Sequence, residues 1–148
     1  MAQFPDQVFV QYQAHRALLS VGDIDGAAQL LPVILSSDIP ETSRHLVLLR
    51  QACAEGRLGD ARQLYERGIE KFADDVSITW LNHLIVGNTE EAAATLMELD
   101  AAGNIMGISD FLSYGTFDAT PFPNLVALLE SQGIERGEPV KMSYQCKR

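Results

Sequence analysis

The sequence predicts an all-α protein built from a repeated helical hairpin, and three observations indicate this fold class. A glycine turn recurs along the chain, apolar residues recur at helical spacing between the turns, and helix-capping residue types follow the glycines. The chain has 148 residues, which is enough for one domain with a sizeable core. We therefore expect a single domain over residues 1–148, in which neighbouring hairpins share a buried core.

The repeat is defined by residues that recur 34 positions further along the chain. Gly22 recurs as Gly56, and Arg16 recurs as Arg50. The same spacing joins Ala27 to Ala61, Leu30 to Leu64, and Leu35 to Ile69. A third copy, with Gly87 in its turn, follows the second after a shorter interval of 31 residues. The period predicts three hairpins over residues 6–102.

Each turn is expected to end one helix and begin the next. Glycine ends a helix readily, because it adopts the left-handed conformation without a Cβ penalty. Asp23 and Asn88 should then cap the following helices, and Asn88 with Glu91 has the spacing of a capping box. Pro32 lies inside the second helix and should kink it or end it early. The expected helices cover residues 6–20, 24–36, 41–54, 58–72, 75–86 and 89–102.

The C-terminal part of the chain departs from the repeat. The sequence predicts capping helices within 103–133, one at about 104–114 and one at 124–132 that Gly133 closes. A turn-rich linker with two prolines separates them. Residues 134–148 are expected to form an extended tail, which could pack on the last helix, lie along its own groove or reach a neighbouring chain.

The hairpin residues resemble the tetratricopeptide repeat over roughly residues 6–102. The resemblance rests on the turn glycine, the alanine five positions later, and the residues Leu31, Tyr65 and Leu96 beyond it. The motifs DFLSY (110–114) and PFPNLVALL (121–129) resemble the segment that ends such repeat regions in bacterial signalling and regulatory proteins. The resemblance implies a right-handed α-α superhelix, a solenoid of about three hairpins with a C-terminal helical cap.

Some positions depart from the tetratricopeptide pattern. His15, Leu49 and Trp80 each stand seven residues before a turn glycine, where the family has a small residue. Gly68 stands where the family has alanine. The closing proline of the family is displaced to Pro40 in the first copy. The resemblance therefore predicts the fold but no particular ligand.

Charge and cysteine content narrow the classes of partner. The formal net charge of −9 disfavours nucleic acid and anionic membranes, because both carry negative charge. No apolar stretch approaches the ~18 residues of a membrane-spanning helix. Cys53 and Cys146 form neither a disulfide framework nor a zinc motif, so we expect two reduced thiols in a cytoplasmic protein.

No pattern in the sequence predicts catalysis, a metal or a cofactor. His15, His45 and His83 have no second histidine or cysteine at a three- or four-residue spacing. Cys53 lies eight residues after His45, about 12 Å along a helix, which is too far for a hydrogen-bonded nucleophile and base. Phosphate loops and dinucleotide fingerprints are lacking. We therefore expect a protein that is not an enzyme.

Acidic residues cluster at predicted helix ends. The pairs Asp74–Asp75 and Glu90–Glu91 fall at helix starts, where the helix dipole favours negative charge. Glu98 and Asp100 fall near a helix end, where the helix dipole does not stabilise negative charge. All of these side chains are expected to be solvated.

The resemblance implies that the first helix of each hairpin lines a concave face that binds a protein or peptide. We call this set the first-helix face, and it comprises Tyr12, Arg16, Leu19, Leu46, Arg50, Cys53, Ser77, Leu81 and Leu84. Arg16 and Arg50 occupy equivalent positions, so as neighbours they could hold an acidic partner by bidentate bonds. They could equally pair with local acids or solubilise the face.

The predicted function is a protein–protein interaction module, or scaffold, without catalysis. One alternative is a structural domain that self-associates as a homodimer through apolar helix faces. A less favoured alternative is a small-molecule-binding protein or small enzyme with a pocket near Trp80 and His83.

Overall fold

The computed structural model describes residues 5–103, 122–133 and 145–146. These residues form seven helices and no strand, so the all-α prediction is confirmed. The helices are α1 (Pro5–Ser20), α2 (Ile24–Ser36), α3 (Glu41–Ala54), α4 (Leu58–Lys71), α5 (Val76–Ile85), α6 (Thr89–Ala101) and α7 (Pro123–Ser131). Every predicted boundary among them is met to within one residue. The helix expected at 104–114, the proline linker and most of the tail lie outside the described residues.

None of the described helices is both long enough and apolar enough to span a bilayer. The helices pack mainly as neighbours along the chain. Helix α1 contacts α2 and α3, α3 contacts α4 and α5, α5 contacts α6, and α6 contacts α7. The second helices α2 and α4 also contact the helix that follows each of them. Each pair thus buries its apolar side against the next pair.

The three repeat turns are closed by glycines in the left-handed conformation. The φ angles are 82° at Gly22, 72° at Gly56 and 85° at Gly87, a region that residues with a Cβ rarely adopt. In the first turn, the N–H of Gly22 donates to the carbonyl of Leu19 over 3.1 Å. The alanines five positions later, Ala27, Ala61 and Ala92, are buried. The predicted turn-and-alanine pattern is confirmed in all three copies.

The capping predictions are met at one turn and wrong at another. The Asp23 carboxylate accepts the N–H of Gly26 over 2.9 Å and caps α2. The Asn88 side chain does not cap α6; its Nδ2 donates to the Tyr65 hydroxyl over 3.0 Å. The Asn88 side chain therefore binds a residue on α4 instead of forming the capping box that local spacing predicted.

Helix α2 continues through Pro32 to Ser36, so the expectation of an early end is wrong. The proline is exposed, which keeps its ring away from the packed side of the helix. The Ser36 and Ser37 hydroxyls donate to the carbonyls of Val33 and Ile34. These bonds satisfy carbonyls in the last turn, where intrahelical partners are missing.

The bulky residues that depart from the tetratricopeptide pattern are core residues. His15 and Leu49 are fully buried, and Trp80 is 2% exposed. Each lies on the first helix of its pair, and Leu49 and Trp80 belong to one continuous core cluster. Large side chains therefore fill space at positions where the family has small ones.

Buried polar pairs link the first helices of successive pairs. The His15 ring lies 2.8 Å (Nε2 to Oε1) from the Gln51 amide oxygen and joins α1 to α3. The His45 ring lies 2.7 Å (Nε2 to Oδ1) from the Asn82 amide oxygen and joins α3 to α5. A Cβ at Gly68 would come within 2.9 Å of that Asn82 oxygen and closer still to the His45 ring. Glycine at 68 thus makes room for the second pair.

These histidines predict a loss of stability in mild acid. Burial lowers the pKa of His15 and of His45. In mild acid the unfolded chain therefore binds more protons than the folded chain. The free energy of unfolding should keep its full value above about pH 6.5, the pKa of unperturbed histidine. It should decrease as the pH drops below that value. For the pair we expect a loss of about 1 kcal/mol or more between pH 7.5 and 5.5, since one pKa unit corresponds to about 1.4 kcal/mol.

Urea unfolding followed by circular dichroism at both pH values measures this loss. The matched variant carries His15→Gln and His45→Gln, which cannot be protonated. Its stability should depend less on pH over the same interval. An equal dependence in both proteins would rule out these two histidines as the cause.

The expectation that the acidic side chains at this end of α6 are solvated is wrong for Asp100. Its carboxylate is buried and accepts the N–H of Leu125 over 2.9 Å and the N–H of Asn124 over 3.3 Å. The Asn124 side chain in turn donates to the Asp100 carbonyl over 2.6 Å. Because α7 packs against α6, a residue 24 positions earlier in the chain caps it.

Candidate partner-binding face

The structure places most of the first-helix face inside the protein. Six of its nine members are buried: Leu19, Leu46, Arg50, Cys53, Leu81 and Leu84. Tyr12, Arg16 and Ser77 are half-buried. The first helices pack against one another, α1 on α3 and α3 on α5, and a hydrogen bond between two members of the face, Arg50 and Tyr12, joins α3 to α1. In this conformation only the three half-buried members can contact a partner.

Arg50 is not accessible to an acidic ligand. It is fully buried, and its Nη1 donates to the Tyr12 hydroxyl over 3.0 Å. Its guanidinium carbon lies 5.7 Å from the centre of the Tyr12 ring, within the range of a cation–π contact. Arg16, the equivalent residue, is half-buried. The two arginines therefore do not form the exposed anion-binding pair that the repeat suggested.

Cys53 and Cys146 form a disulfide, so the expectation of two reduced thiols is wrong. Their sulfurs are 2.03 Å apart and their Cα atoms 4.4 Å apart. The two residues are 93 positions apart in the chain. Sequence spacing carried no signal for this bond, because it depends on where the chain end returns to α3.

The chain end is held at this point by more than the disulfide. The N–H of Cys146 donates to the Ile85 carbonyl over 2.9 Å, and Nε2 of Gln145 donates to the Leu84 carbonyl over 2.8 Å. Both carbonyls lie in the last turn of α5, and the Leu84 carbonyl also accepts the N–H of Gly87 over 3.1 Å. We call Gln145 and Cys146 the C-terminal clamp. It joins the C-terminal ends of α3 and α5, on Cys53 and Leu84 of the first-helix face.

An open groove lies between the first half of α1 and the segment that connects α2 to α3. It has a volume of about 630 Å³ and is lined by Val8, Phe9, Tyr12, Ser36, Ser37, Asp38, Ile39, Pro40 and Ser43. Phe9 is 63% exposed. Within this lining Asp38 is the one charged residue. Tyr12 is the member of the first-helix face that the groove contains.

The polar groups near Trp80 and His83 bind one another. Trp80 is buried, and Nδ1 of His83 is hydrogen-bonded to the Tyr65 hydroxyl over 2.9 Å. The same hydroxyl accepts Nδ2 of Asn88, and burial lowers the pKa of His83. Within residues 5–103, 122–133 and 145–146, no group of three or more His, Cys, Asp or Glu residues is placed to hold a metal ion.

Comparisons with protein-family models, with curated proteins and with solved structures give no match to this chain. The tetratricopeptide resemblance therefore stays a prediction that rests on the 34-residue period and the glycine turns.

Proposed function

We propose that this protein is a protein–protein interaction module without chemistry of its own, built as a right-handed superhelix of tetratricopeptide-like helix pairs. Three features support the proposal. The period of 34 residues separates its first two turns. All three turn glycines adopt the left-handed conformation that ends helices in such hairpins. The first helices also contact one another in chain order, as stacked repeats require.

The groove beside α1 is the binding site that the geometry supports best. The observation that carries this choice is the exposed Phe9 beside the half-buried Tyr12, in a lining that also contains Ile39. Aromatic side chains are enriched at protein interfaces, and they contribute most where a partner can desolvate them. The first-helix face offers no such open surface in this conformation, because six of its members are buried.

The expected partner is a peptide segment with an apolar anchor and a neutral or basic flank. Ser36, Ser37 and Ser43 can accept or donate hydrogen bonds along the groove, and Asp38 attracts a positive charge. The chain as a whole carries a net charge of −9, which attracts basic partners and repels acidic ones. The buried Arg50 removes the main support for the acidic partner that the repeat suggested.

Selection of peptides from a random displayed library, followed by anisotropy titration of a selected peptide, tests the groove. Phe9→Ala should weaken binding at least tenfold, since truncation of a central anchor residue typically costs about 2 kcal/mol or more and tenfold corresponds to about 1.4 kcal/mol. The matched control is Met97→Ala, because Met97 is also large and half-exposed but lies on α6. Equal affinity of wild type and Phe9→Ala for every selected peptide would overturn the proposed site.

Self-association is a second candidate function, and one observation favours it. Phe9 and Val10, neighbours on α1, are each 63% exposed. Adjacent exposed apolar side chains of this size can contribute to a protein interface. Light scattering over a concentration series should show a dimer if two copies pair here. A constant monomer mass would eliminate this alternative.

The disulfide bears on the proposed cellular location. Disulfides persist in oxidising compartments, and those of cytosolic proteins are usually transient, catalytic or redox-sensing. The Cys53–Cys146 bond thus favours an oxidising compartment over the cytoplasmic location predicted from the sequence.

A further inference from the structure

We propose that a cleft between α3 and α4 binds a small organic anion, a carboxylate that carries an apolar group. The cleft has a volume of about 170 Å³ and lies between the first half of α3 and the second half of α4. We call it the α3–α4 cleft. It shares no lining residue with the groove beside α1 and takes a different class of ligand, so this site goes beyond the proposed function.

Positive charge dominates the α3–α4 cleft, although the chain as a whole is acidic. Its lining contains Arg44, Arg67 and Lys71 but one acid, Glu41, which forms a salt bridge with Lys71. The chain has 20 Asp and Glu residues against 11 Lys and Arg residues. Arg44 and Arg67 nevertheless form no salt bridge with any residue in the described parts of the chain. Two guanidinium groups are therefore available to an anion from outside.

The protein holds Arg44 in place before any ligand binds. Its Nη2 donates to the Ser37 carbonyl over 3.1 Å, and its side chain is half-buried. Its Nε is buried and has no acceptor among the described residues. A buried N–H without an acceptor destabilises the protein, and a carboxylate bound beside Arg44 would supply the acceptor. The planar guanidinium group also matches the two oxygens of a carboxylate.

The other side of the cleft places two cations one helical turn apart. Arg67 and Lys71 are separated by four residues on α4, a spacing at which like charges repel each other. Both act on the buried ring of His45, which also lines the cleft. Burial is the main cause that lowers the pKa of His45, and the charges of Arg67 and Lys71 lower it further. A bound anion would reduce this repulsion.

The remaining side chains favour an anion with an apolar group. Leu48, Leu64 and Phe72 line the cleft, and each of them is partly exposed. Acetate or inorganic phosphate could bind the arginines but would leave these apolar surfaces in water, whereas an aromatic or short aliphatic group would cover them. The volume lies below the range of about 300–1,000 Å³ that is usual for ligand pockets. The expected ligand is therefore of the size of benzoate.

Titration of the isotope-labelled full chain with benzoate, followed by NMR, tests the site. Benzoate should shift the amide resonances of residues 41–48 and 64–72. It should bind about fivefold or more tightly than acetate and inorganic phosphate, because its ring buries apolar surface. Benzamide has the same ring without the charge and should bind about tenfold or more weakly than benzoate. Equal affinity for benzoate and any of these three probes, or shifts confined to other residues, would overturn the proposal.

Three arginine variants separate the cleft from the general charge of the surface. Arg44→Gln and Arg67→Gln should each weaken benzoate binding about tenfold, since each removes a hydrogen bond between charged groups. Arg62→Gln is the matched control, because Arg62 lies on the same helix as Arg67 but pairs with Glu66, and its side chain is 80% exposed. This control should keep the affinity of the wild type. Equal affinities in all four proteins would overturn the site, and so would equal weakening in the three variants.

Two further measurements keep these results interpretable. Circular dichroism should show that Arg67→Gln keeps the helical content of the wild type, because Arg67 is exposed and its side chain supports no described contact of the core. Arg67→Gln thus tests the site even if Arg44→Gln does not fold. Phe9→Ala should bind benzoate as the wild type does, since Phe9 lies in the groove beside α1. Failure of the α3–α4 cleft and failure of the groove proposal therefore remain distinguishable.

Discussion

Replacement of Trp80 by alanine is expected to lower the free energy of unfolding by about 3–5 kcal/mol, the range typical of large aromatic residues in cores. Trp80 is 2% exposed and lies in the continuous core cluster on helix α5. Alanine would leave a cavity that the surrounding core residues cannot fully close. The tetratricopeptide pattern has a small residue here, so this variant also tests how far the protein departs from that pattern.

Urea unfolding followed by circular dichroism is the suitable measurement, because Trp80 is the only tryptophan in the chain and its fluorescence disappears with it. Trp80→Phe keeps an aromatic ring and should lose much less stability. Met97→Ala, at a half-exposed position on α6, should change the free energy of unfolding by at most about 0.5 kcal/mol. A loss below about 1 kcal/mol in Trp80→Ala would show that the site is not tightly packed.

Asp100→Ala is expected to detach α7 from the helix pairs. The variant leaves the backbone N–H groups of Asn124 and Leu125 without the carboxylate that accepts them. Hydrogen bonds to a charged group contribute about 1.5–3 kcal/mol each, and buried donors left unpaired add a desolvation cost. With two such bonds lost, we expect a decrease of about 3 kcal/mol or more in the free energy of unfolding and faster hydrogen exchange throughout α7.

Two variants calibrate this result. Asp100→Asn keeps one acceptor oxygen but no charge, so its loss should fall between those of wild type and Asp100→Ala. Asp74→Ala removes an exposed acid before α5 and should have little effect. If Asp74→Ala and Asp100→Ala lose equal stability, the carboxylate does not cap α7.

The helices and their turns were predictable because the interactions that define them are local. A glycine such as Gly22 needs only its own φ freedom and the carbonyls of the preceding turn. The Asp23 cap reaches three residues ahead, within the range that spacing rules describe. The predicted Asn88 cap does not form, because the Asn88 side chain is hydrogen-bonded to Tyr65 on another helix.

The candidate site was predictable only in part. Tyr12 was among the predicted partner-binding residues, and it does line the open groove. Phe9 and Ile39 were missed, since the groove exists only because the segment after α2 passes beside α1. The period assigned Arg16 and Arg50 to equivalent positions, but it could not show that the Tyr12 hydroxyl binds Arg50 in the interior.

The order of residues thus determined the all-α class, the helix bounds and the three glycine turns, since these depend on hydrogen bonds and side-chain spacing within a few residues. Tertiary structure decided which sides of the helices are open, because burial depends on the element that packs on each side. It brought Asp100 to the start of α7 and Cys146 to Cys53. Contacts between residues 24 to 93 positions apart leave no trace in local spacing, and the most specific features of this protein are contacts of that kind.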